Sequence, residues 1–275
     1  MSRTLLAALK IRGFRNLAEV DLEPSPGVNV LWGDNAQGKS NTLEAVHFLA
    51  TATSPRTFHI SEVIARGAAT AYVEGRLERP EGPETLGIGL DATRKLIRSN
   101  EARLARVQEL YGRLPVVSFV PEDLAFVNGA PHDRRRLLDV ALAQMEPPHV
   151  LRLLRYNRAL RHRNSLLRAG RWSHPEMETW EEQLAALGAE IMRARAPLCR
   201  RLAERLTRLY QELFGGREML GLRYHPSFAC GDEEGLWPEP YWSGCASSAR
   251  PTASAARLTP ARIATIWTST WRSAS

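Results

Sequence analysis

Gly33-Asp34-Asn35-Ala36-Gln37-Gly38-Lys39-Ser40 is the stretch whose reading decides the fold. It fits G-x-x-x-x-G-K-[ST], the loop that cradles phosphate with backbone amides. An apolar run, Val28 to Trp32, precedes it and predicts a buried strand. A helical run from Lys39 to Ala50 follows, with Leu43, Val46 and Ala50 on one face. The string alone would also fit an ordinary glycine-rich turn. Strand, loop and helix together are the setting that phosphate chemistry requires. Gly33 and Gly38 let the backbone turn tightly around an anion where a Cβ would clash. The loop amides and the helix N-terminus supply partial positive charge. Lys39 adds a full charge toward terminal phosphates. The Ser40 hydroxyl suits Mg²⁺, a hard cation that takes oxygen ligands.

A chain of 275 residues buries a sizeable core and holds one or two domains. The net charge of +7 favours a polyanionic partner and says nothing of fold. Only Lys10, Lys39 and Lys95 are lysine, so the basic residues are nearly all arginine, a bias that a GC-rich genome also produces. Cys199, Cys230 and Cys245 lie far apart without C-x-x-C spacing, which argues against a zinc site or a disulfide framework and fits the cytoplasm. Leu5 to Leu9 is too short for a secretion signal or a membrane span.

Residues 4–31 alternate in the manner of strands, and Gly13 to Asn16 reads as the turn of an antiparallel hairpin. After the helix, Pro55 marks its end. Ala71 to Leu77 and Thr85 to Leu90 read as strands around Pro80-Glu81-Gly82-Pro83, with another short strand at Arg94 to Ile97. Pro115 to Val120 is apolar but for Ser118 and predicts a buried strand. Residues 1–130 are therefore expected to form the N-terminal part of an ATP-binding head that carries the loop.

From Pro131 the texture is helical, and residues 131–216 are expected to form an arm. Asp133 is placed to cap its first helix. Pro147-Pro148 interrupts, and Val150 to Arg168 continues for roughly 28 Å. Ala169 to Pro175 turns the chain, and Glu176 to Phe214 is one long run that Pro197 should kink or break. Nine arginines against Asp133, Asp139 and Glu146 fill 131–168. Arg152, Arg155, Arg158 and Arg161 recur every three residues, a one-signed face suited to phosphate backbones, although most charged helix faces are merely solvated. Residues 217–234 are expected to return to the head, with a strand at Leu220 to Tyr224. Residues 235–275 lose all periodicity, and their Arg/Ala/Ser/Thr/Trp bias is what a GC-rich gene read in the wrong frame produces.

The chain resembles the RecF family of SMC-like, ABC-type ATPases. The carrying segments are Leu9 to Leu17 and Gly33 to Ala45, then Ser54-Pro55-Arg56-Thr57 and Phe119 to Leu124. Gly129-Ala130-Pro131 with Arg134 to Asp139, and Trp180 to Leu184 with Gly188 to Ile191, complete them. The resemblance implies an α/β head with an antiparallel β-lobe and an inserted helical arm. It implies ATP and Mg²⁺ as cofactors, with Asn41 and Arg56 joining the loop around ATP. It further implies an ATP-dependent homodimer and weak DNA-stimulated ATPase activity. It implies single-stranded and duplex DNA as partners, with a preference for gap junctions, and work beside RecR and RecO to load RecA. Glu122 and Asp123, after the second apolar run, are candidates to sense Mg²⁺ and water; acids at a helix N-terminus also suit its dipole. Arg56 equally fits a solvated surface arginine.

Two pieces that ABC-type heads use, a Ser-x-Gly-Gln signature loop and an apolar strand ending in adjacent acids, are not found. Leu137-Leu138-Asp139 reads as arm helix. Poor hydrolysis and poor dimerisation are then expected. The alternatives are a non-catalytic nucleotide- or DNA-binding fragment and a P-loop kinase of small molecules; the latter leaves the arginine-rich arm unexplained.

Overall fold

The structure is a computed structural model that describes residues 4–57, 59–215 and 220–226. The tail 235–275, Cys230 and Cys245 lie outside the described residues. Internal contacts divide the chain between Asp123 and Leu124.

The first unit is built on one six-stranded antiparallel sheet of order β2-β1-β3-β4-β5-β6. Strands β1 (Leu5–Phe14) and β2 (Leu17–Leu22) form the expected hairpin, with Arg15 in the left-handed region at its turn (φ 56°). Strands β3 (Thr70–Arg79) and β4 (Gly82–Asp91) form the second hairpin, extended by β5 (Lys95–Ser99) and the short β6 (Ala102–Arg103). The register aligns Val20, Ile11, Val73, Ile88 and Ile97 in one row across five strands. Period-two alternation puts that whole row on one face, so a slip of one residue would expose it.

Helix α1 (Lys39–Thr51) covers this face with Ala45, Phe48 and Leu49, all at most 1% exposed. The Phe14 and Phe48 rings meet at 5.6 Å and 58°, a tilted aromatic pair. Gly75, in the neighbouring row, is a glycine for a steric reason: a Cβ there would sit 2.5 Å from Leu49 Cδ2. Buried Glu84 ties the outer strands together, accepting from Ser99 Oγ at 2.5 Å and pairing with Arg79 and Arg113. Burial alone would raise its carboxyl, but those hydrogen bonds outweigh it and hold it below the ordinary value.

The two apolar runs are corrected first. Val28 to Trp32 and Pro115 to Val120 belong to none of the described strands, and they are not buried. Val28 is 90% exposed, Trp32 88%, Val117 98% and Phe119 78%. An apolar β-favouring pattern marks a segment that fits a sheet, but pairing and burial come from a neighbour elsewhere in the chain. The second segment is still tethered, because Ser118 Oγ lies 3.0 Å from Nδ1 of His47 on α1.

The second unit is helical. It comprises a single turn α2 (Ala125–Asn128), then α3 (Pro131–Met145), α4 (Pro148–Arg168) and α5 (Pro175–Phe214). Proline opens each of the three long helices, where its missing N–H costs nothing. The N-cap of α3 is Ala130, so Asp133 lies in the first turn rather than capping it. There its charge still favours the helix dipole.

Pro197 does not break α5, which is assigned as one helix of 40 residues. The proline ring is solvent-exposed, as is Arg193, the residue whose carbonyl loses its N–H partner. On the other face Leu184, Ile191 and Met192 pack against Tyr156 and Ala159 of α4, while Leu198 packs against Leu138 and Leu142 of α3. That apolar burial holds the helix through the interruption. Residues 220–226 carry no strand, and Tyr224 packs against both clusters.

Candidate nucleotide-binding site

The loop Gly33–Ser40 joins the exposed 28–32 segment to the first residue of α1. Gly38 is the N-cap, with φ 98° and ψ 2°, and no side chain caps the helix. No acid occupies the first turn. The leading amides of α1 are therefore not claimed by a side-chain oxygen, which leaves them for an external anion. A Cβ on Gly38 would lie 2.4 Å from Leu17 Cδ2 and 3.1 Å from Asn16 Oδ1. The β1–β2 hairpin thus presses directly on the loop. Gly33 also has positive φ (136°), but a Cβ there meets nothing within 4 Å.

This contrast makes a prediction. Gly38→Ala combines left-handed strain with a clash and is expected to lower stability by about 1–3 kcal/mol. Gly33→Ala should lower it less. Urea unfolding of the two variants beside the parent checks the order.

Lys39 Nζ donates to the carbonyls of Gly33 (2.7 Å) and Asp34 (2.5 Å), so the ammonium lies across the mouth of its own loop. Ser40, Asp34, Asn35, Ala36 and Gln37 are exposed. The uncapped helix start, the ammonium and the exposed hydroxyl at the second helical residue fit a phosphate with a hard divalent cation. Lys39 and the loop amides would hold the phosphates, and Ser40 the cation. The cation would supply charge neutralisation on the phosphate oxygens.

The structure brings two further predicted residues to this site. Asn41 Nδ2 donates to Asn16 Oδ1 at 2.7 Å, and Arg56 Nη1 donates to Asn41 Oδ1 at 2.8 Å. Arg56 is thus docked on the first turn of α1. Four residues around them escaped the sequence reading as site components: Arg15, Asn16, Glu44 and Ser54. The available signal was Glu44, a carboxylate on the buried face of α1 flanked by Ala45 and Phe48.

Asp123 does not face this loop's residues through any described bond. Its Oδ2 accepts from the Val120 amide at 2.8 Å, closing the turn Pro121–Leu124. The side chain of Glu122 lies outside the described residues. In the helical unit, Arg155, Arg158 and Arg161 are exposed. Arg152 pairs with Glu190 (3.3 Å) and Glu146 (3.6 Å), and buried Arg163 pairs with Glu181 (3.1 Å). Arg134, the first of the three consecutive arginines, is buried and donates to the Gly129 carbonyl at 3.0 Å. Among the described residues no cluster of His, Cys, Asp and Glu is placed to hold a metal. No described helix is long and apolar enough to cross a membrane.

A family model described as an AAA domain matches residues 8–123. The RecF-ATP structure of the RecFOR pathway superposes with a TM-score of 0.80 at 28% identity, covering 89% of this chain and 66% of that one. The fold and the loop define a P-loop ATPase head of ABC type with an antiparallel β-lobe.

The DNA replication and repair protein RecF of Symbiobacterium thermophilum is 38% identical over 230 residues, which is 83% of this chain and 61% of that protein. RecF of Halalkalibacterium halodurans is 36% identical over 222 residues. Over that length the chain is similar to RecF, and it spans about three fifths of the length of these curated relatives.

Proposed function

We propose that this chain binds ATP and Mg²⁺ through Gly33–Ser40, Asn41 and Arg56 and couples that binding to DNA in recombinational repair. It acts at single-strand gaps and gap junctions, on single-stranded and duplex DNA. It works with RecR and RecO to load RecA, and ATP drives its homodimerisation. One observation carries the nucleotide part of this reading: an uncapped, acid-free start of α1 reached through a glycine loop whose lysine already lies across its mouth. Similarity to proteins named for DNA replication and repair supports the rest. Weak, DNA-stimulated hydrolysis is the expected activity. The test is ATP turnover on gapped DNA by this chain and by Lys39→Ala; equal turnover in the two sinks the catalytic role of the loop.

A second reading is a nucleotide- and DNA-binding module without turnover. It is favoured by the placement of Asp123, a candidate acid for the reaction, whose Oδ2 accepts from the Val120 amide at 2.8 Å and has no described bond to the loop. Tight ATP binding with no phosphate release on any DNA would select it.

The arginine face of α4 has its own test. Each phosphate contact releases counterions, so log affinity falls with log salt by about 0.9 per contact on duplex DNA. Replacing Arg155, Arg158 and Arg161 by alanine should flatten that slope by up to about 3. Arg152→Ala should change it less, because Glu146 and Glu190 already claim that guanidinium. A parent affinity that ignores salt would remove DNA from this face altogether.

A further inference from the structure

Glu44 is the most buried acid beside the loop, with its side chain 1% exposed. It accepts from Arg15 Nη2 (2.7 Å), from Arg15 Nε (3.2 Å to each oxygen), from Ser54 Oγ (2.6 Å) and from Arg56 Nη1 (3.2 Å). Three distant segments meet on this carboxylate: the β1–β2 turn, α1, and the loop that follows α1. A buried carboxylate needs such partners, because desolvation without them is costly. Packing alone would account for the cluster. The polar chain that leaves it goes further.

Arg56 Nη1 donates to Asn41 Oδ1 (2.8 Å), Asn41 Nδ2 donates to Asn16 Oδ1 (2.7 Å), and Asn16 Nδ2 donates to the Ala36 carbonyl (2.7 Å). The direction of this chain is set at its head. A guanidinium only donates, so Asn41 must present oxygen to it, and its amide nitrogen then turns to Asn16. Asn16 in turn offers its nitrogen to the loop. The terminus is a peptide that needs holding: Ala36 is a non-glycine residue at φ 64°. In a planar trans peptide the C=O and the following N–H point to opposite sides. Fixing the Ala36 carbonyl on Asn16 therefore fixes the Gln37 N–H as well, pointing the opposite way within the same plane, away from Asn16.

We propose that Glu44 and Arg15 are positioning residues for the anion cradle, acting through Arg56, Asn41 and Asn16 on the Ala36–Gln37 peptide. Phosphate affinity then depends on a carboxylate that touches no phosphate. This rests on reading Gly33–Ser40 as the nucleotide site.

The experiment uses the full chain, Asn16→Ala, Asn41→Ala, the double variant and Glu44→Gln. Fluorescent ATP titration, thermal melting and amide hydrogen exchange are measured on each. The relay variants leave the Glu44–Arg15–Ser54 cluster in place, so they remain informative if Glu44→Gln fails to fold. Asn16→Ala and Asn41→Ala should each weaken ATP binding about tenfold, the worth of a good hydrogen bond, with little change in melting. The double variant should be no worse than either single one, because both cut the same chain. Glu44→Gln should match them, and Glu44→Asp should recover part of the loss. Without nucleotide, exchange at Ala36 to Gly38 should accelerate in the variants while the α1 core stays protected. Wild-type affinity in Asn16→Ala and Asn41→Ala, or losses that multiply in the double variant, overturn the proposal. A parent that binds no ATP sinks the nucleotide reading; unchanged loop exchange in the variants sinks the relay separately.

Discussion

Lys39→Ala is expected to weaken ATP binding by roughly 10- to 150-fold, the range of a hydrogen bond to a charged group of about 1.5–3 kcal/mol. The ammonium has three donors. Two of them rest on the Gly33 and Asp34 carbonyls, which fixes the amine above the loop before any ligand arrives. An incoming phosphate therefore meets a preplaced charge and does not bear the cost of ordering a free lysine side chain. Alanine removes the charge and the donors together. It should leave the fold intact, because the two released carbonyls are on exposed residues and alanine is a strong helix former at the start of α1. Lys39→Arg should recover little, since a planar guanidinium does not reproduce a compact point charge in a loop of this size. Nucleotide titration with circular dichroism on the same samples checks both halves. Parent-like affinity in Lys39→Ala would refute the assignment of this loop.

The second large effect is in the helical unit. Asp139 on α3 accepts two bonds from Arg195 on α5, Nη2 at 2.6 Å and Nε at 2.8 Å, and a third contact from Nε2 of fully buried His149 at 3.2 Å. Arg195 is 3% exposed. Burial would raise the Asp139 carboxyl, but the hydrogen bonds from His149 and Arg195 and their charge outweigh it and hold it below the ordinary value. Asp139→Ala leaves a guanidinium in the interior without its carboxylate, and the expected cost is about 3–5 kcal/mol. The double replacement Asp139→Leu with Arg195→Met should regain most of that loss, since no charge is then stranded. Hydrogen exchange of α3 and α5 reads the helical unit separately from the sheet. A loss under about 1 kcal/mol for Asp139→Ala would mean that water already solvates the pair.

The same pair has a pH signature. The folded carboxyl titrates below its unfolded value, so its stabilisation is present at neutral pH and above about 4. It is lost as pH falls from there through the folded value. Acid should therefore loosen α3 and α5 in the parent. Asp139→Asn should show a flatter acid limb.

The chain's local patterns were legible without a structure. The glycine loop, both β-hairpins, the break at Pro147-Pro148 and the turn before Pro175 all announce themselves through turn chemistry and periodicity over a few residues. The loop's basic machinery was equally visible, because Lys39 and Ser40 sit beside Gly38 in the chain. Sequence by itself thus determined the antiparallel lobe, the phosphate loop and the helical hairpin.

Tertiary structure decided what depends on partners far away in sequence. Val28 to Trp32 and Pro115 to Val120 have the composition of buried strands, yet a strand is buried only where another backbone pairs with it. Pro197 is a helix breaker by local rules, yet α5 runs on because apolar contacts on both sides of it offset one lost hydrogen bond. Asp139 looked like an ordinary helix residue until Arg195, 56 positions away, closed on it. Glu44 makes the point most directly. Its meaning comes from Arg15, 29 residues before it, and Arg56, 12 after it, and no window along the chain contains that geometry. Charge pairing inside a protein is stabilising only when the fold removes water and fixes both partners, so the sequence carried the residues and the packing carried their roles.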